Sequence, residues 1–288
     1  KEKPRPDERE LLEDIAERTW AFFEIFAGEG RGYIPPDNFQ QEPEKRPAVN
    51  TSPTNIGMAM AAAVSAAELG LITADELEKR LSGTMDTVDK MQKWHGHLYN
   101  WYRTDTLEVM RPRYVSTVDS GNFCACLITG SMALKKYGRE DTAARLERAA
   151  RETDFSALYD AERKLFRIGY DGDACELSNS WYDLLASEAR LTSLIAVALG
   201  SVKPEHWFKL GRQMAPVLGG TLVSWSGTMF EYLMPVLFTG AVPDTLLYNS
   251  CLNAVKAQKR QRYGGVWGIS ESGYNAFDRN MYYQYRAF

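Results

Sequence analysis

Apolar residues recur at helical spacing through most of this chain, and breaks in that pattern mark where its helices start and stop. In residues 7–27, Leu11, Leu12, Ile15, Trp20, Phe22, Phe23 and Phe26 recur at helical spacing, and Gly28 ends the run. Residues 28–52 are rich in Gly, Pro and polar residues and predict a long loop. Thr51-Ser52-Pro53 opens the next helix with proline in its first turn, and Gly70 closes it. Thr73-Ala74-Asp75-Glu76 has the form of a capping box for a third helix running to about residue 92. Further helices are predicted at about 121–137, 140–156, 181–200, 203–215, 228–239 and 243–261. Strand-like stretches are few: Leu98–Tyr102, Leu165–Gly169 and Leu222–Ser224. Residues 93–118 are aromatic and irregular. The pattern therefore gives a mostly helical chain of about nine helices in successive hairpins. Such hairpins fit an α/α toroid, whose long loops gather at one end of a central funnel. No fixed-period sequence repeat points to a strict solenoid.

Composition adds a ligand surface to this picture. The 288 residues are enough for one large domain or two small ones, with a substantial core. With 34 basic and 38 acidic residues the net charge is −4, which gives no electrostatic reason to expect nucleic acid or an anionic membrane as partner. Seven Trp, 15 Tyr and 12 Phe are many, and a good share stand in loop-like contexts. Cys124, Cys126, Cys175 and Cys251 form no disulfide framework or zinc spacing and read as buried, reduced thiols. His95-Gly96-His97 has no acidic or Cys cluster beside it, so no metal is expected, nor any cofactor. No signal peptide or membrane-spanning apolar run is visible.

Five segments combine acids, aromatics and small polar residues. They are Asn50–Gly57; His97–Tyr102 with Tyr114–Asn122; Ser178–Arg190; Leu222–Leu233; and Trp267–Asn275 followed by Tyr282–Arg286. Several of these residues have a plain reading as helix caps, Asp119 and Ser270 among them. Glu188 is expected inside a helix among Leu, Ala and Ser. Glu231 stands in a strongly apolar helix, so it is expected to be hydrogen-bonded or paired, with Arg190 or Arg286 as candidates. Gly268 and Gly273 disfavour a regular helix around Glu271 and leave it on a loop beside Trp267 and Tyr274. Glycoside chemistry requires two carboxyl groups across the scissile bond, flat aromatic faces and many hydroxyl-directed hydrogen bonds. The chain supplies all three without a phosphate-binding glycine loop, a G-x-S-x-G elbow or a Cys/His pair.

The runs Tyr99–Tyr102, Pro112–Asn122, Tyr182–Arg190, Ser224–Pro235, Trp267–Asn275 and Tyr283–Phe288 resemble the glucoamylase-like domain of cyclic β-1,2-glucan synthases, a family related to endo-β-1,2-glucanases. The resemblance extends over nearly the whole chain beyond about residue 8. It implies an (α/α)6 toroid acting on linear β-1,2-glucan by hydrolysis or by transglycosylation into a ring. It also implies a cytoplasmic setting between a membrane-bound glycosyltransferase and a phosphorylase-like region. Carried over residue by residue, Glu188 and Glu271 become the catalytic pair: Glu188 as general acid/base and Glu271 as nucleophile or base, with the roles exchangeable. Asp119, Glu231, Trp101, Trp181, Trp225, Trp267 and Tyr274 would shape the sugar subsites, and Arg113, Asn122, Arg190 and Arg286 would orient acids or hydroxyls. The family domain continues past the sequence matching Arg286-Ala287-Phe288. The expectation is therefore a single domain over 1–288, a fragment of a longer protein with its toroid incomplete at the C-terminus. A non-catalytic glucan-binding module or a truncated, inactive fragment is the alternative.

Overall fold

A computed structural model of the chain describes residues 4–42, 44–216, 218–261, 265, 267, 268 and 270, and the backbone alone of 272–277 and 283–286. Its contacts group into two compact units: 1–39, 46–115 and 122–153 in the first, and 40–45, 116–121 and 154–288 in the second.

The first unit is built on helical hairpins. Helix α1 (Pro6–Phe26) packs on α2 (Pro53–Glu68), and α2 packs on α3 (Ala74–Val88). The helix starts are those the sequence predicts. Ser52 Oγ accepts the Asn55 amide at 3.1 Å with Pro53 in the first turn, and Thr73 Oγ1 accepts the Glu76 amide at 3.2 Å. Gly70 takes a left-handed φ of 77°, which lets α2 turn directly back into α3. Helix α4 (Thr117–Lys136) and α5 (Glu140–Glu152) form the next hairpin, with α5 against α3. Ile56, Met60, Leu77, Leu81, Met85, Leu127, Leu134 and Leu146 fill the core between these helices. The segment 93–118, expected to be irregular apart from the strand-like Leu98–Tyr102, is a set of strands up to Ser116, after which α4 begins. Asn50–Thr51, Asn100–Arg103 and Val109–Ser116 pair antiparallel in that order.

In the second unit the helices are shorter than the apolar pattern predicts. They are α6 (Arg190–Ala198), α7 (Glu205–Lys209), α8 (Met229–Leu233), α9 (Val236–Thr239) and α10 (Leu246–Arg260). Leu165–Arg167 and Thr221–Leu222 fall at the strand-like stretches expected there, and the hairpins that pair them add Tyr159–Asp160 and Met214–Ala215. Leu185, Ala186, Leu210, Leu222, Met229, Tyr232, Cys251 and Ala254 form one core. Residues 181–189, expected as the first half of a helix, are instead a short strand and turns. The amide of Leu185 donates to the Gly211 carbonyl at 3.0 Å and the amide of Gly211 donates to the Asp183 carbonyl, so this stretch takes its main-chain partners from a distant segment. Cys124, Cys126 and Cys251 are buried thiols, as expected, and burial pushes Cys124 up to about 12; Cys175 is exposed. Among the described residues no helix is long and apolar enough to cross a membrane.

Two close contacts in the second unit give tests of stability. A Cβ added at Gly121, in the second turn of α4, would lie 2.6 Å from the Thr192 Cα of α6, a backbone atom that cannot rotate away. Gly121→Ala is expected to destabilise by about 3 kcal/mol, the upper end for overpacking, read from the urea midpoint. His206 is buried, with Nδ1 2.9 Å from the Lys164 carbonyl and Nε2 2.8 Å from Ser193 Oγ. The carbonyl can only accept, so Nδ1 carries the proton and Nε2 accepts from the Ser193 hydroxyl. Burial lowers the His206 pKa below its ordinary value. The unfolded chain then takes up a proton that the folded ring refuses, so this contribution is complete above about pH 6.5 and lost as pH falls below it. Unfolding free energy should drop between about pH 7 and about pH 5 with a His206 share of at most about 1.4 kcal/mol per unit, a share that His206→Gln removes.

Candidate functional site

The sequence-predicted residues divide between the units. Trp101, Arg113 and Asn122 lie in the first. Trp101 and Arg113 are half-buried on paired strands, and Asn122 is buried on α4, where its Nδ2 donates to Thr54 Oγ1 at 3.2 Å.

The second unit holds the other candidates, and three of them form one connected arrangement around α8. This helix is little more than a turn long, so both its ends need outside partners. At the N-terminal end, Thr228 and Glu231 form a capping box. The Glu231 carboxylate does more than cap. It accepts the amides of Trp225 at 2.9 Å, Ser226 at 3.0 Å and Thr228 at 3.1 Å, and the hydroxyls of Ser226 at 2.7 Å, Ser224 at 3.2 Å and Thr228 at 3.2 Å. Six donors thus converge on one carboxylate that is only 5 % exposed. The loop 224–228 is wrapped on it, with the Trp225 indole held outward at 55 % exposure.

Arg190 holds the other end. Burial lowers its pKa, and its hydrogen bonds among the described residues run to main-chain carbonyls. One amino group donates to Glu231 O at 2.6 Å and Ser187 O at 3.0 Å, and the other to Tyr232 O at 2.6 Å. The planar guanidinium fork suits this set, and its charge complements the carbonyl end of a helix. The pairing of Arg190 with the Glu231 carboxylate considered from the sequence is replaced by this main-chain geometry. Cys251 Sγ also donates to Tyr232 O, and Tyr232 Oη donates to Leu222 O at 2.6 Å, fixing α8 from two further sides.

Glu188 stands in the turn just before α6, half-buried, and not inside a helix as the apolar run suggested. Ser187 Oγ accepts the Ala189 amide at 3.2 Å and Glu188 O accepts the Leu191 amide at 3.1 Å, so the turn is closed on both sides of the carboxylate. Asp119 occupies the first turn of α4, half-buried; the cap there is Ser116, whose Oγ accepts the Asp119 amide at 3.2 Å. Trp181 lies on a short strand under two guanidiniums, Arg163 at 3.9 Å and Arg167 at 4.9 Å from the ring centre, with Nε1 donating to Asp160 at 3.0 Å. Trp267 is 45 % exposed with the Lys259 ammonium 5.0 Å from its ring centre. Tyr274 and Arg286 belong to paired strands, Ser272–Phe277 and Tyr283–Arg286, described by backbone alone. Glu271 lies outside the described residues.

Sequence reasoning missed Ser224, Ser226 and Thr228 as the donors that organise the Trp225 loop. Half of that signal was readable, because Thr228-Met229-Phe230-Glu231 is a T-x-x-E capping box. The donors upstream of the cap had no such local signature.

The comparisons with known proteins bear on this arrangement. Residues 14–126 match the model of a family described as "Protein of unknown function (DUF3131)". The cyclic β-(1,2)-glucan synthase NdvB of Rhizobium meliloti is 33 % identical to the chain, over 97 % of the chain. The chain is a homologue of that synthase. It spans 14 % of the synthase's length, and the alignment runs over 409 positions, so the synthase carries additional residues between matched segments. Among solved structures, the endo-β-1,2-glucanase of Chitinophaga pinensis, in complex with sophorotriose and glucose, gives a TM-score of 0.78 at 15 % identity over 97 % of this chain and 74 % of that one. A glucoamylase-like protein of Bacteroides fragilis gives 0.78 at 16 % identity over 99 % of this chain and 75 % of that one. The chain therefore has the fold of these glucoamylase-like proteins.

Proposed function

We propose that this chain acts on linear β-1,2-glucan, cleaving or transferring glucosyl units with Glu188 and Glu271 as its two carboxyl groups, within an α/α toroid. The observation that carries this reading is the setting of Glu188: a half-buried carboxylate in a closed turn, two residues before the buried Arg190 that ties the turn to the helix bearing the Trp225 loop. A carboxyl group partly removed from water can hold a proton for the leaving glycosidic oxygen, and an exposed indole beside polar groups suits a sugar face. The homology to a β-1,2-glucan synthase and the fold shared with a β-1,2-glucanase support the choice of linkage.

In this reading Glu188 protonates the glycosidic oxygen as its bond to the anomeric carbon breaks, and Glu271 acts as nucleophile or as base on the attacking hydroxyl. If water attacks, two shorter linear chains result. If the far-end hydroxyl of the same chain attacks, the products are a ring and a shorter linear chain, with no net water consumed. Within the second unit, Asp119, Trp181, Trp267, Tyr274 and Arg286 complete the sugar subsites. The much greater length of the homologous synthase supports a place within a longer protein; flanking glycosyltransferase and phosphorylase-like domains and a cytoplasmic setting are what the family resemblance implies.

Incubation with linear β-1,2-glucan followed by mass spectrometry tests the reading. Shorter linear products, or rings lighter by one water, are expected, and unchanged polymer from a folded sample overturns it. Trp225→Ala should weaken glucan binding about fivefold, the equivalent of about 1 kcal/mol of lost stacking. Its thermal midpoint should stay near wild type, because the indole is mostly in solvent.

A further inference from the structure

We infer that Arg190 and Glu231 are positioning residues that together hold Glu188 and Trp225 in register, and that neither contacts the sugar; this rests on the reading of Glu188 and Trp225 given above. Both residues were expected at sugar subsites, but their polar atoms are already engaged. The Glu231 oxygens accept three amides and three hydroxyls from one five-residue loop, which leaves them no free direction for a substrate hydroxyl. The Arg190 guanidinium is 4 % exposed and donates to three carbonyls.

The connectivity gives these bonds a purpose beyond local stability. Ser187 O immediately precedes Glu188, so one amino group of Arg190 holds both the turn that presents Glu188 and the main chain of Glu231. The side chain of Glu231 in turn holds the amide of Trp225. Glu188 and Trp225 are thus linked through two side chains and three hydrogen bonds. A lysine at 190 would be a point charge without the fork, and could not hold carbonyls of 187, 231 and 232 in one plane. The Glu188 turn would then shift relative to the Trp225 loop. A displacement of about 1 Å at a catalytic group costs on the order of a hundredfold in rate.

Arg190→Lys should therefore lower kcat on linear β-1,2-glucan by ten- to a hundredfold while KM changes less than about threefold, measured well below the variant's unfolding temperature. A kcat within twofold of wild type would show a merely structural role, and a tenfold rise in KM at unchanged kcat would show a direct sugar contact; either overturns the inference. A second measurement needs neither activity nor a folded variant. In the wild-type chain, the amides of Trp225, Ser226 and Thr228 should exchange with deuterium far more slowly than exposed loop amides. Exchange at exposed-loop rates would overturn the inference. A wild-type chain inactive on the glucan would instead refute the functional reading, and the exchange rates would then judge the positioning network alone.

Discussion

Glu188→Gln should leave the fold intact and lower kcat on linear β-1,2-glucan by about a hundredfold to ten-thousandfold, the range that a general acid or base contributes. The amide is nearly isosteric with the carboxyl but has no proton to give at neutral pH. The turn should survive the change because its closing bonds are made by Ser187 Oγ and by the Glu188 carbonyl, neither of which is altered. The affinity for a β-1,2-linked oligosaccharide, measured by calorimetry, should stay within a few-fold of wild type, since the substitution removes a charge and not a stacking face. Retained turnover would remove Glu188 from the catalytic role. Lost turnover together with a lowered unfolding temperature would mean that the carboxylate is structural.

Glu231→Ala should be the most destabilising single change at the site, by about 3 kcal/mol or more. Three main-chain amides and three hydroxyls converge on this carboxylate. Removing it strands several buried donors, each costing about 1–3 kcal/mol if water does not reach it. Water can reach the Ser226 end of the loop more readily than Thr228, which is fully buried, so the total falls well short of the sum. Thr228→Ala, which removes only the cap hydroxyl, should cost about 1 kcal/mol. Urea unfolding of the two variants checks both the magnitudes and their order. Equal costs would mean that the upstream donors of the loop add nothing to the cap.

What was legible in the sequence follows the distinction between local and distant partners. The starts of α2 and α3 were readable because Ser52 and Thr73 bond amides three residues away, and such bonds leave a local signature. The 181–200 helix was over-long for the opposite reason. Leu185 and Ala186 are buried and apolar, as in a helix, but the main chain here bonds near Gly211, 26 residues beyond Leu185. In 93–116 the strand-like Leu98–Tyr102 was readable, but the long strand Val109–Ser116 that pairs with it was hidden. At the site, the need for a partner at Glu231 was deduced correctly from the cost of burying a carboxylate, but its identity was not. Serine and threonine hydroxyls and loop amides are too common in sequence to mark a binding set. Arg190 was singled out for its charge, whereas the structure uses the fork of its guanidinium on carbonyls.

The most direct test of the account is the rate of product formation by the wild-type chain on linear β-1,2-glucan, measured beside linear β-1,3-glucan of matched length. The account predicts shorter or cyclic products from the β-1,2-linked chain and none from the other. Equal rates on both polymers, or product from the β-1,3-linked chain alone, would contradict it.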